Sequence, residues 1–238
     1  MSDQTNFSAW REQSLARRTF LRVSAASAAS VALVAAGCGT DTPTPVVADP
    51  NQLSLPAADQ GLLYYTYLLA IAKSTLYQKV IDTPPTDLAA AERTAFSHMR
   101  DHEVAHRELL RYLIDPTLAL TLYPTDFAFK LTSFTLTTRA GVLAAAQQLE
   151  DLAAAAYPPI LPLFANINQR SLLLKMSTVQ ARHAATVRDL LTPGSFANAD
   201  VVDATGQLIT RTPTQVIAVL APYITPYVIS VANLPIPV

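Results

Sequence analysis

The chain has 238 residues, half of them apolar and only 15% charged, with a formal net charge of −1. That balance excludes a disordered chain and supplies apolar side chains for a sizeable core. No Lys/Arg cluster stands outside the N-terminal segment, which excludes nucleic acid as a partner, and Cys38 is the only cysteine, which excludes a thiolate metal site.

Read from the N-terminus, the order is basic, apolar, small. Arg17-Arg18-Thr19-Phe20-Leu21-Arg22 precedes a weakly apolar, Ala- and Ser-rich run from Val23 to Gly37, and Ala35-Ala36-Gly37 leads into Cys38. This predicts an export signal over residues 1–38. The segment resembles a bacterial twin-arginine signal ending in a lipobox. The resemblance implies acylation of Cys38, with the membrane as partner through that lipid, and a periplasmic or outer cell-envelope location. Ala35 stands where lipoboxes favour Leu, so simple cleavage to a soluble exported protein is the second reading. A retained anchor ranks third, because the run is short and rich in Ser and Ala for a bilayer span. Removal of the signal takes away four basic and two acidic residues, moving the net charge from −1 to −3. The exported domain then has no disulfide, and any metal in it is held by His and carboxylate.

Residues 39–58 are polar and Pro-rich and read as an extended tether. A first helix follows from Leu62 to about Ile81, with Leu63, Ala70, Lys73 or Ser74, Tyr77 and Val80 at helical spacing, and Thr83-Pro84-Pro85 ends it. The second helix is expected from about Asp87 to Ile114, with the seam Phe96, Met99, Glu103, His106, Leu110, Leu113. Its hexapeptide Asp101-His102-Glu103-Val104-Ala105-His106 places a carboxylate and an imidazole three residues apart on one face. Polar groups in an apolar stripe must be paired, hydrogen-bonded or bound to metal. His98 and His102 fall off this seam and read as exposed.

After Asp115-Pro116 comes a connector of about two dozen residues, long enough to carry the chain from one end of a bundle to the other. The third helix is expected from about Leu136 to Tyr157, with Leu143, Glu150, Ala154 and Tyr157 near one face and Pro158, Pro159 and Pro162 breaking its end. The fourth runs from about Arg170 to Leu191, with the seam Leu173, Met176, Gln180, His183, Val187, Leu190. Here Gln180 and His183 repeat the i, i+3 polar pair. The bundle is expected over 59–192. Residues 193–238 form a C-terminal extension, with one short helix at Thr212-Pro213 and an apolar Pro-rich tail packing on the bundle.

The runs Arg100-Asp101-His102-Glu103-Val104-Ala105-His106, Gln148-Leu149-Glu150-Asp151 with Tyr157, and Gln180-Ala181-Arg182-His183-Ala184-Ala185 are similar to those of the bacterial ferritin-like domain family, which includes desiccation-related proteins. The resemblance extends roughly from Gly61 to Tyr223. It implies an all-α fold, a ferritin-like four-helix bundle with one long crossover between helices two and three. It also implies a metal site of Glu103, His106, Glu150 and His183, with Gln180 where a Glu is expected. Ala70 stands at the first helix's ligand position and Lys73 at its second Glu, so two of four carboxylates are missing.

Two negative charges do not neutralise a di-metal centre in a low-dielectric interior, which argues against a two-metal oxidase. One divalent ion (Fe, Mn or Zn) suits two imidazoles and two carboxylates. The other reading has no metal, with Glu103 and Glu150 paired to His106, His183 and Lys73. The expected role is therefore that of an exported cell-envelope protein, non-catalytic or holding at most one ion, with a link to stress implied by the resemblance. Two alternatives stand beside it: a metal-dependent oxidase or peroxide-handling protein, and an envelope scaffold or partner-binding bundle. No Gly-rich phosphate loop, Gly-x-Ser-x-Gly or cysteine nucleophile supports nucleotide binding or acyl transfer, and no sequence feature names a protein partner or an oligomeric state.

Overall fold

A computed structural model describes residues 49–236. The export signal, Cys38 and most of the expected tether lie outside the described residues. In order, the elements are β1 (Gln52–Ser54), α1 (Ala58–Asp82), α2 (Ala90–Ile114), α3 (Arg139–Ile160), α4 (Ile167–Leu191), α5 (Pro213–Leu220) and β2 (Val228–Ser230). Helices α1 and α2 form one packed pair, α3 and α4 a second, and α1 against α3 joins them. Residues 115–138 make the crossover between the pairs and contain neither helix nor strand. Among the described residues, no helix is long and apolar enough to cross a membrane.

Helix α1 is the centre of the fold. Every residue from Gly61 to Ala70 is buried, so its core contact is not confined to the single stripe read from its spacing. The crossover covers one side: Tyr123 packs against the Tyr64 and Tyr67 rings at 5.6 and 5.9 Å and donates its hydroxyl to the Tyr64 carbonyl at 3.1 Å. Two short strands cover another. Strands β1 and β2 pair in parallel, matching Leu53 with Ile229, and bury both residues together with Leu55. The tether expected over 39–58 is thus cut short. Its apolar Leu53 and Leu55 alternate with polar neighbours, and the C-terminal strand supplies their ladder. At Gly61 a Cβ would stand 1.8 Å from the Pro56 carbonyl oxygen and 2.6 Å from Leu234 Cδ2. Only glycine lets the incoming strand and the outgoing tail cross the helix at this height.

Helix α3 does not break at its first proline, as the sequence suggests. It continues through Pro158 and Pro159 to Ile160, and a 3₁₀ turn over Leu161–Leu163 follows. Pro159 has no N–H to give to the Ala155 carbonyl. The C-terminal extension supplies the donor instead, from Arg211 N–H at 2.9 Å. Helix α4 begins at Ile167, before the expected Arg170, because the Asn166 side chain accepts the Asn168 and Gln169 N–H groups at its N-terminus. At the other end of the chain, Leu234 is buried and Ile236 packs against the core.

Candidate metal centre

Each of the four long helices sends at least one charged or polar group into the same part of the core. On α2, Glu103 lies between the buried Met99 and Leu110; on α4, Gln180 and His183 lie between Met176 and Val187; α3 contributes Glu150 and α1 contributes Lys73. Both glutamates are fully buried, and Lys73 is only 1% exposed. His106, on the same stripe, is less deep, with its side chain 14% exposed. Helical period turns these residues toward the core, where an apolar residue would sit, and the packing of the helices brings their polar atoms together.

Lys73 Nζ lies between the two carboxylates, 2.9 Å from Glu103 Oε1 and 3.2 Å from Glu150 Oε2. The Tyr77 hydroxyl, one turn along α1, donates to Glu150 Oε1 at 2.6 Å. His183 Nδ1 faces both acids, 3.4 Å from Glu103 Oε1 and 3.5 Å from Glu150 Oε1. These are charge contacts without formed hydrogen bonds, because Nδ1 has no hydrogen-bond partner among the described residues. The Gln180 amide nitrogen donates to Glu103 Oε1 at 3.2 Å and stands 3.2 Å from His106 Nδ1. An ionised carboxylate requires a donor there, so the Gln180 amide presents its NH₂ to Glu103.

Burial opposes ionisation of Glu103, but the Lys73 ammonium, with His106 and His183, holds its carboxyl well below the usual carboxylate range. Burial likewise opposes charging His183, and the contacts with Glu103 and Glu150 reverse that, raising its pKa above the ordinary value. His102 shifts the other way, lowered by partial burial and then by His183 and His106. Its ring is stacked on that of His183 at 5.3 Å, and its Nδ1 is 3.0 Å from His183 Nε2. A protonated His183 donating from Nε2 to a neutral His102 satisfies both shifts at once. With His183 in that form, two carboxylates face Lys73 and an imidazolium, and the four formal charges cancel.

One atom each from Glu103, Glu150 and His183 lies within 4.8 Å of the others, the grouping a single ion requires. His106 and Gln180 do not join it. His106 Nδ1 is 3.7 Å from Glu103 and bonded to Gln180, while Gln180 offers the acids its amide hydrogens instead of a ligand oxygen. Glu103, Glu150 and His183 therefore supply donors for one divalent ion, and Glu103 Oε2 and His183 Nδ1, buried with no hydrogen-bond partner among the described residues, are their free atoms. The set does not fit two ions, whose four positive charges would meet two carboxylates and an ammonium.

The sequence left open whether Lys73 reaches the core, and it does. Sequence reasoning assigned no site role to Tyr77, although its i, i+4 spacing from Lys73 signals a shared helix face. It placed His98 and His102 off the seam and exposed; both are, but His102 also touches His183. No periodicity signals that contact, since it depends on how α2 and α4 are set against each other. Ala70 is buried and brings no ligand atom. Tyr157 lies close enough that the charges of Glu103 and Glu150 add to the burial raising its hydroxyl well above the ordinary value.

Four long helices in two packed pairs, a long crossover and a core cluster of carboxylate and imidazole define a bundle of the metal-carboxylate type. The chain belongs to the ferritin-like domain family, whose match spans residues 58–193, from the start of α1 to just past α4. No curated protein matches the chain.

Proposed function

We propose that this is an exported, lipid-anchored protein of the cell envelope whose ferritin-like bundle is non-catalytic and holds at most one divalent ion. The observation that carries the reading is the charge balance at the centre, where Lys73 and His183 already answer Glu103 and Glu150. A redox centre of two ions needs carboxylates the cluster lacks. Export and acylation at Cys38 are supported by the twin-arginine order of residues 1–38, and a role in stress by the resemblance to desiccation-related proteins.

A second reading, a metal-dependent oxidase or peroxide-handling protein, is favoured by the unpaired Glu103 Oε2 and His183 Nδ1. In that case Glu103, Glu150 and His183 would hold a single Fe, Mn or Zn ion, which when bound would supply Lewis-acid or redox chemistry. Tyr77 would fix the Glu150 carboxylate, and His102 would orient the His183 ring from outside. An envelope scaffold with no metal is the third reading.

Metal content per chain, measured on protein purified without chelators and again after loading with Fe(II), Mn(II) and Zn(II), tests the proposal, with His183→Ala as the control. Zero or one ion is expected, with no oxygen or peroxide consumption. Two ions per chain with turnover overturn the non-catalytic reading. Membrane fractionation of the Cys38→Ala variant tests the anchor, and unchanged membrane retention overturns it.

A further inference from the structure

We propose that Lys73 is the resident cation of this centre and that its ammonium closes the centre to divalent metal. The inference rests on the depleted-site reading above and sharpens it, from at most one ion to none while Lys73 is in place. Lys73 occupies an oxygen of each acid, Glu103 Oε1 and Glu150 Oε2, at 2.9 and 3.2 Å. A metal–oxygen bond is about 2.1 Å, so any ion held by Glu103 through either oxygen lies within about 7 Å of Lys73 Nζ. In a buried site salt does not screen that repulsion. The ammonium has little room to withdraw. The side chain is 2% exposed and rises from α1, which is buried on both sides of it from Ala72 to Ser74.

The remaining donors are all in place. Glu103, Glu150 and His183 present atoms within 4.8 Å of one another, and Glu103 Oε2 and His183 Nδ1 are unpaired among the described residues. The centre therefore differs from a single-ion site by one charge, carried by one residue. Replacing Lys73 with glutamine removes the positive charge from beside both carboxylates. Replacing it with glutamate adds a third carboxylate and asks for a cation outright. In each variant a metal takes over the neutralising role of the ammonium, so metal also stabilises the fold.

The test adds Zn(II), Mn(II) or Fe(II) to wild type, Lys73→Gln and Lys73→Glu. Metal retained per chain after gel filtration is measured, together with the thermal midpoint with and without metal. Wild type is expected to retain no stoichiometric metal and to show no shift in midpoint. Both variants are expected to retain about one equivalent, at least about 100-fold tighter than wild type. They should show a raised midpoint, and they should lose the metal when His183→Ala is added. Wild type that retains one equivalent as tightly as Lys73→Gln overturns the inference while leaving the at-most-one-ion reading intact. Two ions in wild type overturn both. Folded Lys73 variants that retain no metal overturn the inference alone, as do variants that stay unfolded at every metal concentration.

Discussion

Replacing Lys73 with methionine, which keeps the length and volume of the side chain but not its charge, isolates what the ammonium does for stability. Two contacts disappear, at 2.9 and 3.2 Å. At an effective dielectric constant of about 20, each is worth about 5 kcal/mol of Coulomb attraction, part of which only offsets the desolvation of the ions. What matters is the state left behind: Glu103 and Glu150, both fully buried, with only the imidazoles of His183 and His106 to answer them among the described residues. Removing one partner of a buried pair costs about 3–5 kcal/mol, a large share of a domain's typical stability of about 5–15 kcal/mol. At about 2–4 °C per kcal/mol for a domain of this size, the thermal midpoint falls by about 6–20 °C. Urea unfolding in the presence of a chelator reads the effect without interference from metal. The charge argument makes a second demand. In the double variant Lys73→Met, Glu150→Gln, one carboxylate again faces one imidazolium, so a substantial part of the loss is recovered despite two substitutions. A single variant that loses under about 1 kcal/mol, or a double variant no more stable than the single, refutes the network as described.

Three further expectations follow from other parts of the fold. Gly61→Ala drives a Cβ to within 1.8 Å of the Pro56 carbonyl oxygen, so it destabilises by about 2 kcal/mol or more and separates the terminal strands from α1, measured by chemical denaturation and amide exchange at Leu53–Leu55. Arg188, 5% exposed, holds Asp151 through bonds of 2.8 and 2.7 Å and also reaches Asp200. Arg188→Met therefore costs about 2–4 kcal/mol in thermal unfolding, while Asp200→Ala, at an exposed carboxylate, has a small effect. Glu92 is held below the usual carboxylate range by its hydrogen bonds from Arg139. A depressed folded-state pKa contributes stability that is fully present above the unfolded value near 4.5 and lost as pH falls through the folded one. Arg139→Met should therefore flatten the acid limb of the stability curve below about pH 5, and an unchanged limb in a pH series of denaturation curves would count against the pairing.

The bundle was legible in the sequence because helical period is local information. Phe96, Met99, Glu103 and Leu110 on one helix, and Leu173, Met176, Gln180, His183 and Val187 on another, share a face whatever they pack against, and all are buried. The same period marked Glu103, Glu150 and His183 as polar residues in an apolar stripe, and so as a shared centre. Helix ends were less legible. The run through Pro159 depends on a donor from Arg211, far away in the chain, and the burial of Leu53 and Leu55 depends on a strand near the opposite end.

By itself, then, the sequence determined which seam residues of α2 and α4 turn inward and which carboxylates share the centre, because both follow from residue identity and a fixed 3.6-residue period. Only the tertiary structure decided what those side chains meet. Lys73 at the same spacing serves equally well as a snorkelling surface residue; the packing of α1 against α2 and α3 leaves its ammonium no route to water. It therefore bridges Glu103 and Glu150. Tyr77 and His102 became part of the centre for the same reason, since contacts between helices depend on their relative rotation and height, which no single helix encodes.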